Sequence, residues 1–135
     1  MKPFLVALAA AAALFAALPA DALACSCLPW GNPKEELAKA KAAFVGVYVG
    51  SRPMKSPGAA IYRFRVERRL KGSFGRTIDV VSAVDSAACG LEVVKRQRVG
   101  LLLRRVGGRW HSSLCEQRTA RFFRGLPSRM LASCA

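Results

Sequence analysis

Apolar and polar positions alternate with a period of two over residues 61–70, where Tyr62, Phe64 and Val66 stand between Arg63, Arg65 and Glu67. That period puts one face against a core and the other in water, and predicts a strand ended by Lys71-Gly72. Residues 44–50 (Phe44-Val45-Gly46-Val47-Tyr48-Val49-Gly50) are β-branched or aromatic almost throughout and predict a strand buried on both faces. Gly46 and Gly50 within it predict a bend or bulge. Two more strands are expected over 77–84 and 99–104. A Gly107-Gly108 turn followed by Arg109-Trp110-His111-Ser112 predicts a hairpin leading to Cys115. Residues 53–58 and the small-residue stretch Asp85-Ser86-Ala87-Ala88-Cys89-Gly90 read as loops.

Helical signals flank this β pattern. Pro29 and Gly31 keep residues 28–31 extended or turning. Asn32-Pro33-Lys34-Glu35 then forms a helix start: Asn32 caps, Pro33 suits the first position and Glu35 reaches back to the cap. The helix is expected over 33–42, with Leu37 and Ala38 inward. Residues 116–126 show helical periodicity through Ala120, Phe122 and Phe123, with arginines outside. Five short strands with flanking helices predict a mainly β domain, a five-stranded, partly open barrel of the OB type.

Length leaves room for one domain in 135 residues, and the first 24 read as an export signal. Lys2 supplies the basic start, residues 4–18 the apolar run and Ala22-Leu23-Ala24 the small-x-small cleavage site. The expected division is thus a signal peptide at 1–24 and a mature domain at 25–135, exported to the periplasm or cell exterior. Net charge is +14, and loss of Lys2 with Asp21 leaves it unchanged. Such a chain favours anionic polymers, envelope surfaces or acidic partners, and export makes nucleic acid the least expected of them.

All five cysteines, Cys25, Cys27, Cys89, Cys115 and Cys134, fall in the mature part. In an oxidising compartment they predict disulfides, with one thiol left over. Spacing alone does not choose the pairing. Cleavage after Ala24 would make Cys25 the first residue, setting an α-amine, a carbonyl and a half-cystine side by side. Bacterial lipoproteins also begin with cysteine, but they prefer Leu three positions before it and a small residue two before; Ala22-Leu23-Ala24 fits that pattern poorly. With one histidine, few carboxylates and no Gly-rich phosphate loop, an enzyme is not expected, nor a resident cofactor.

In order along the chain stand Cys25-x-Cys27, Phe44-Val45-Gly46, Tyr62-x-Phe64-x-Val66 ending in Lys71-Gly72, Ser86-x-x-Cys89-Gly90, Leu114-Cys115 and the expected C-terminal helix before a last Cys134. This set resembles the N-terminal, netrin-like domain of the tissue inhibitors of metalloproteinases, over nearly the whole mature chain. The resemblance implies the bridges Cys25–Cys89 and Cys27–Cys115. It also implies that the amine and carbonyl of Cys25 chelate the catalytic zinc of a bound metalloprotease, the only metal Cys25 would meet. Ser26 would point toward the pocket for the residue after the cut. Ser86, Ala87 and Ala88, tethered through Cys89, would lie alongside with Cys27 as the rest of the contact ridge. A third bridge of that family has no early partner here, since residues 28–43 hold no cysteine. Cys134 is therefore expected to be free, in a monomer, or to link two copies.

A second reading of the same fold is a basic binding module without inhibitory activity, in which Cys25 and Cys27 only staple the N-terminal segment. Arg63, Arg65, Arg68, Arg69, Arg104 and Arg105 would then meet an anionic polymer or envelope partner. Trp30 is expected either to anchor a partner or to pack on its own domain, and His111 to be a surface strand residue.

Overall fold

β1 (Ala42–Pro53) is the strand on which the fold closes, because it pairs along both edges. One edge takes β2 (Ala59–Lys71) and the other β4 (Arg98–Val106), both antiparallel. β2 carries β3 (Thr77–Ala83), and the short β5 (Arg109–His111) bridges β3 in parallel to β4 in antiparallel pairing. The strands β1-β2-β3-β5-β4 thus run in a ring back to β1, and β6 (Gln117–Thr119) adds to β4. This computed structural model describes residues 25–128; the expected signal peptide and Cys134 lie outside the described residues. The fold is mainly β.

Two cores account for the burial of Ala42–Gly46 on both faces of β1; the expected two-sided burial does not extend to residue 50, since the strand runs out beyond both cores and Val49 is exposed. Phe44 joins Tyr62, Phe64, Val66, Ile78, Val80, Leu101 and Leu103 inside the ring. Ala43 and Val45 point the other way, into a second cluster with Leu70, Leu102 and Phe123. The alternation read in residues 61–70 holds: Tyr62, Phe64 and Val66 are buried, and Arg63, Arg65 and Glu67 are exposed. The pairing of β1 with β2 shifts register at Val45/Gly46 and Tyr48/Gly50, the two predicted bends. A side chain at Gly46 would run into the Arg65 carbonyl, so a residue without Cβ is required where the strands approach. Gly107 and Gly108 both have positive φ, as the tight turn between β4 and β5 demands.

The helix α1 (Pro33–Lys39) begins as read: Asn32 Oδ1 accepts from the Glu35 N–H at 3.0 Å and the Glu35 carboxylate accepts from the Asn32 N–H at 3.3 Å. It stops three residues before the expected end. Ala40 is extended, Ala42 and Ala43 are taken into β1, and Lys71 Nζ donates to the last carbonyls, those of Leu37 and Ala38, at 2.9 and 3.0 Å.

The C-terminal segment corrects the sequence reading. Residues 116–126 form no α-helix. Gln117–Thr119 is a sixth strand on β4, flanked by 3-10 turns at Leu114–Glu116 and Ala120–Phe123. Pairing with β4 satisfies the backbone that a helix would otherwise satisfy, while Ala120, Phe122 and Phe123 still reach the outer core. Among the described residues the flanking helices are thus one short α-helix and 3-10 turns.

Candidate functional site

Cys25 is bonded to Cys89 and Cys27 to Cys115, with Cα–Cα separations of 5.0 and 5.2 Å. The two bridges stack. Cys115 Sγ lies 3.8 Å from Cys25 Sγ and 4.0 Å from Cys89 Sγ, so both half-cystines of the N-terminal segment are held at one point. The Sγ atoms of Cys25, Cys27 and Cys115 fall within 4.8 Å of one another, but each is spent in a disulfide and offers no thiolate to a metal. Two such bridges point to an oxidising, extracellular-type compartment. Among the described residues no helix is long and apolar enough to cross a membrane.

The loop that receives Cys25 is stiff. Asp85 accepts from the Ala87 N–H through its side chain (2.9 Å) and from the Ala88 and Gly90 N–H groups through its carbonyl (3.1 and 2.9 Å). These bonds wind Ser86–Ala88 into a 3-10 turn that Cys89 ends at φ +60°, a left-handed conformation costly for a residue with a Cβ. The Cys25 bridge and a 2.8 Å bond from the Leu114 N–H to the Cys89 carbonyl hold that residue in place. Gly90 has to be glycine, since a Cβ would overlap the Ala83 carbonyl. Ser26 and Cys27 are exposed, and so are Ser86, Ala87 and Ala88; Cys25 and Cys89 are half-buried. All seven residues of the expected ridge therefore gather around one pair of bridges.

Below the N-terminal segment lies a residue that the sequence reading placed outside. Arg118, on β6, is 3% exposed. Its guanidinium donates to the carbonyls of Cys115 (2.7 Å) and Gln117 (2.9 Å) and to Glu36 Oε2 on α1 (2.8 Å). The Trp30 ring covers it at 4.1 Å, and Phe122 packs edge-on against Trp30. Trp30 thus packs on its own domain while keeping 53% of its surface exposed. Glu36 in turn accepts from the Gly31 N–H at 3.2 Å. Burial alone would raise the Glu36 carboxyl, but the Gly31 N–H and the Arg118 guanidinium outweigh it and hold it below the usual carboxylate range. Trp30 and Gly31 are thereby tied to the domain without a covalent link. No periodicity marks Arg118 in a tail that also carries Arg121 and Arg124, both exposed.

Two exposed apolar residues on the segments that carry the ridge, Leu28 at 87% and Val84 at 59%, were not singled out by the sequence. Each lies just beyond a segment that was. His111 is half-buried on β5; burial, then the Arg104 and Arg109 charges, push its pKa down from 6.5.

Of the six arginines of the alternative reading, Arg65 is exposed on β2 and the other five have partners within the domain. Arg63 is paired with Asp79 at 2.8 Å, Arg104 with Glu116 at 3.4 Å, and Arg68 donates to the Leu126 carbonyl at 2.7 Å. Arg69 and Arg105 lie over the rings of Phe74 and Trp110.

No family model matches this chain, and no curated protein matches it in sequence.

Proposed function

We propose that this protein, cut before Cys25, inhibits zinc metalloproteases through its own N-terminus. The observation that carries the reading is the tethering of Cys25 and Cys27 to Cys89 and Cys115, which leaves Ser26 and residues 86–88 exposed side by side. A terminus held this way loses little conformational freedom on docking. The ring of five strands with both cores filled is consistent with an OB-type, netrin-like barrel.

The chemistry is that of a ligand. A catalytic zinc keeps one coordination position for water, and a neutral amine nitrogen can take it at about 2.0–2.1 Å. The free α-amine titrates near 8 (about 7.7–8.0), and the metal favours its deprotonated form, so the amine can coordinate at neutral pH with loss of its proton to solvent. The Cys25 carbonyl closes a five-membered chelate. Ser26 enters the pocket for the residue after the cut, and Ser86, Ala87 and Ala88 occupy the neighbouring cleft. The family's third bridge has no early cysteine here; Arg118, with Glu36 and Trp30, supports the same segment by charge and stacking.

The test adds one alanine before Cys25 and compares inhibition of a zinc endopeptidase panel on a fluorogenic peptide. The protein starting at Cys25 inhibits; the extended one, with both bridges and the same melting temperature, does not, because its amine is displaced from the metal. Equal inhibition by both proteins would sink the chelation mechanism.

A further inference from the structure

A second site lies on the sheet and shares no residue with the ridge. A groove of about 430 Å³ opens between β2, β3 and the β4–β5 turn, lined by Phe74, Ile78 and Trp110, with Arg52, Arg105 and Arg109 around it. The Arg105 guanidinium lies 4.4 Å above the Trp110 ring, Trp110 meets Phe74 edge-on at 6.3 Å, and Arg69 lies 5.6 Å above Phe74. Cations and rings thus alternate across this face.

The charges in the groove are unequal. Its one carboxylate, Asp79, is already engaged by Arg63 at 2.8 Å and Arg52 at 3.1 Å. Arg105 and Arg109 have no carboxylate partner among the described residues. A guanidinium that lies over an indole and has no carboxylate partner can still offer its N–H groups to the two oxygens of a sulfate, phosphate or carboxylate. Stacking also lowers the entropy lost when such an anion is gripped.

We infer that this groove is a binding site for an anionic glycan, with Arg105 and Arg109 taking its oxyanions and Trp110 and Phe74 packing against the sugar ring. The compartment favours a glycan over a single-stranded nucleic acid. The disulfides belong to an oxidising, extracellular-type compartment, whose common polyanions are glycans and lipid headgroups. The site is concave, which suits a chain laid into it rather than a membrane plane.

The inference does not depend on Cys25 and is tested apart from inhibition. Calorimetry on the bridged protein would use a heparin oligosaccharide, an oligogalacturonate, neutral dextran and an oligothymidylate as probes. The expected result is binding of at least one anionic glycan, weakened roughly tenfold or more by Arg105→Gln with Arg109→Gln, with a salt slope shallower by about one to two. The Trp110 indole N–H resonance should shift during titration. Arg121→Gln with Arg124→Gln, which removes equal charge elsewhere, should leave affinity nearly unchanged at the same ionic strength. Equal losses in the two double variants would reduce the binding to net charge and overturn the site. Failure of both anionic glycans to bind, or tighter binding of oligothymidylate through the same arginines, would overturn it as well.

Discussion

The Arg118 guanidinium donates to Glu36 at 2.8 Å, joining β6 to the helix that follows the N-terminal segment. The side chains are 2% and 12% exposed, so water screens this pair little. Removing one partner leaves the other buried without its counter-charge. Glu36→Ala should therefore cost about 3 kcal/mol, read from urea unfolding. Arg118→Met removes the charge but keeps part of the packing under Trp30, and should restore some of that loss in the Glu36→Ala background. Strict additivity of the two changes would show that the pair is not coupled.

The bridges close loops that overlap in sequence, with separations of 64 and 88 residues. Replacing Cys25 and Cys89 together by Ser should lower stability by about 2–5 kcal/mol, through the freedom regained by the unfolded chain. With Cys27–Cys115 still in place, amide exchange should quicken mainly in residues 85–90. Uniform quickening across β1 and β4 would contradict the view of this bridge as local support for the ridge.

Gly100 on β4 faces the Phe123 ring so closely that a Cβ would overlap it. Gly100→Ala should destabilise by about 1–3 kcal/mol through overpacking. Phe123→Leu should recover part of this loss in the alanine background while destabilising the parent. The sign of that coupling, from thermal melts of the four proteins, checks the contact.

Acid should weaken the fold in two stages. His111 is kept neutral by burial and by the Arg104 and Arg109 charges, so its folded pKa lies below 6.5. The unfolded chain takes up that proton first, and stability declines as pH drops below 6.5 towards the folded value. Asp79 is held down by hydrogen bonding to Arg63, against an opposing effect of burial and with help from Arg52. Glu36 is likewise depressed, burial being outweighed by Gly31 and Arg118. Their contributions are complete above the ordinary values of 3.8 and 4.5 and are lost as pH falls through the lower folded ones. Urea midpoints at about pH 7.5, 5.5 and 3 should fall in that order, and His111→Gln should remove only the upper step.

Strand periodicity, the helix cap and the tight turn were legible in the sequence because each is a local matter. Tyr62, Phe64 and Val66 need only a pleat to reach one face, Asn32 meets Glu35 one turn away, and Gly107-Gly108 supplies the positive φ its turn requires. The two-sided burial of Phe44 and Val45 was equally plain from their composition. Both disulfide pairings, like the expectation of a seven-residue ridge, came from a resemblance in motif order, not from periodicity. Only the tertiary structure decided what depends on distant partners. Residues 117–119 became a strand because β4 offered a free edge, an energy that helical periodicity does not contain. Arg118 went inside because Glu36, the Cys115 carbonyl and Trp30 converge there from segments far apart in the chain. Arg105 and Trp110 became a stacked pair because the turn between β4 and β5 folds them together. Burial of a charge and stacking on a ring are properties of an assembled neighbourhood, and in the sequence these three residues read only as basic or aromatic.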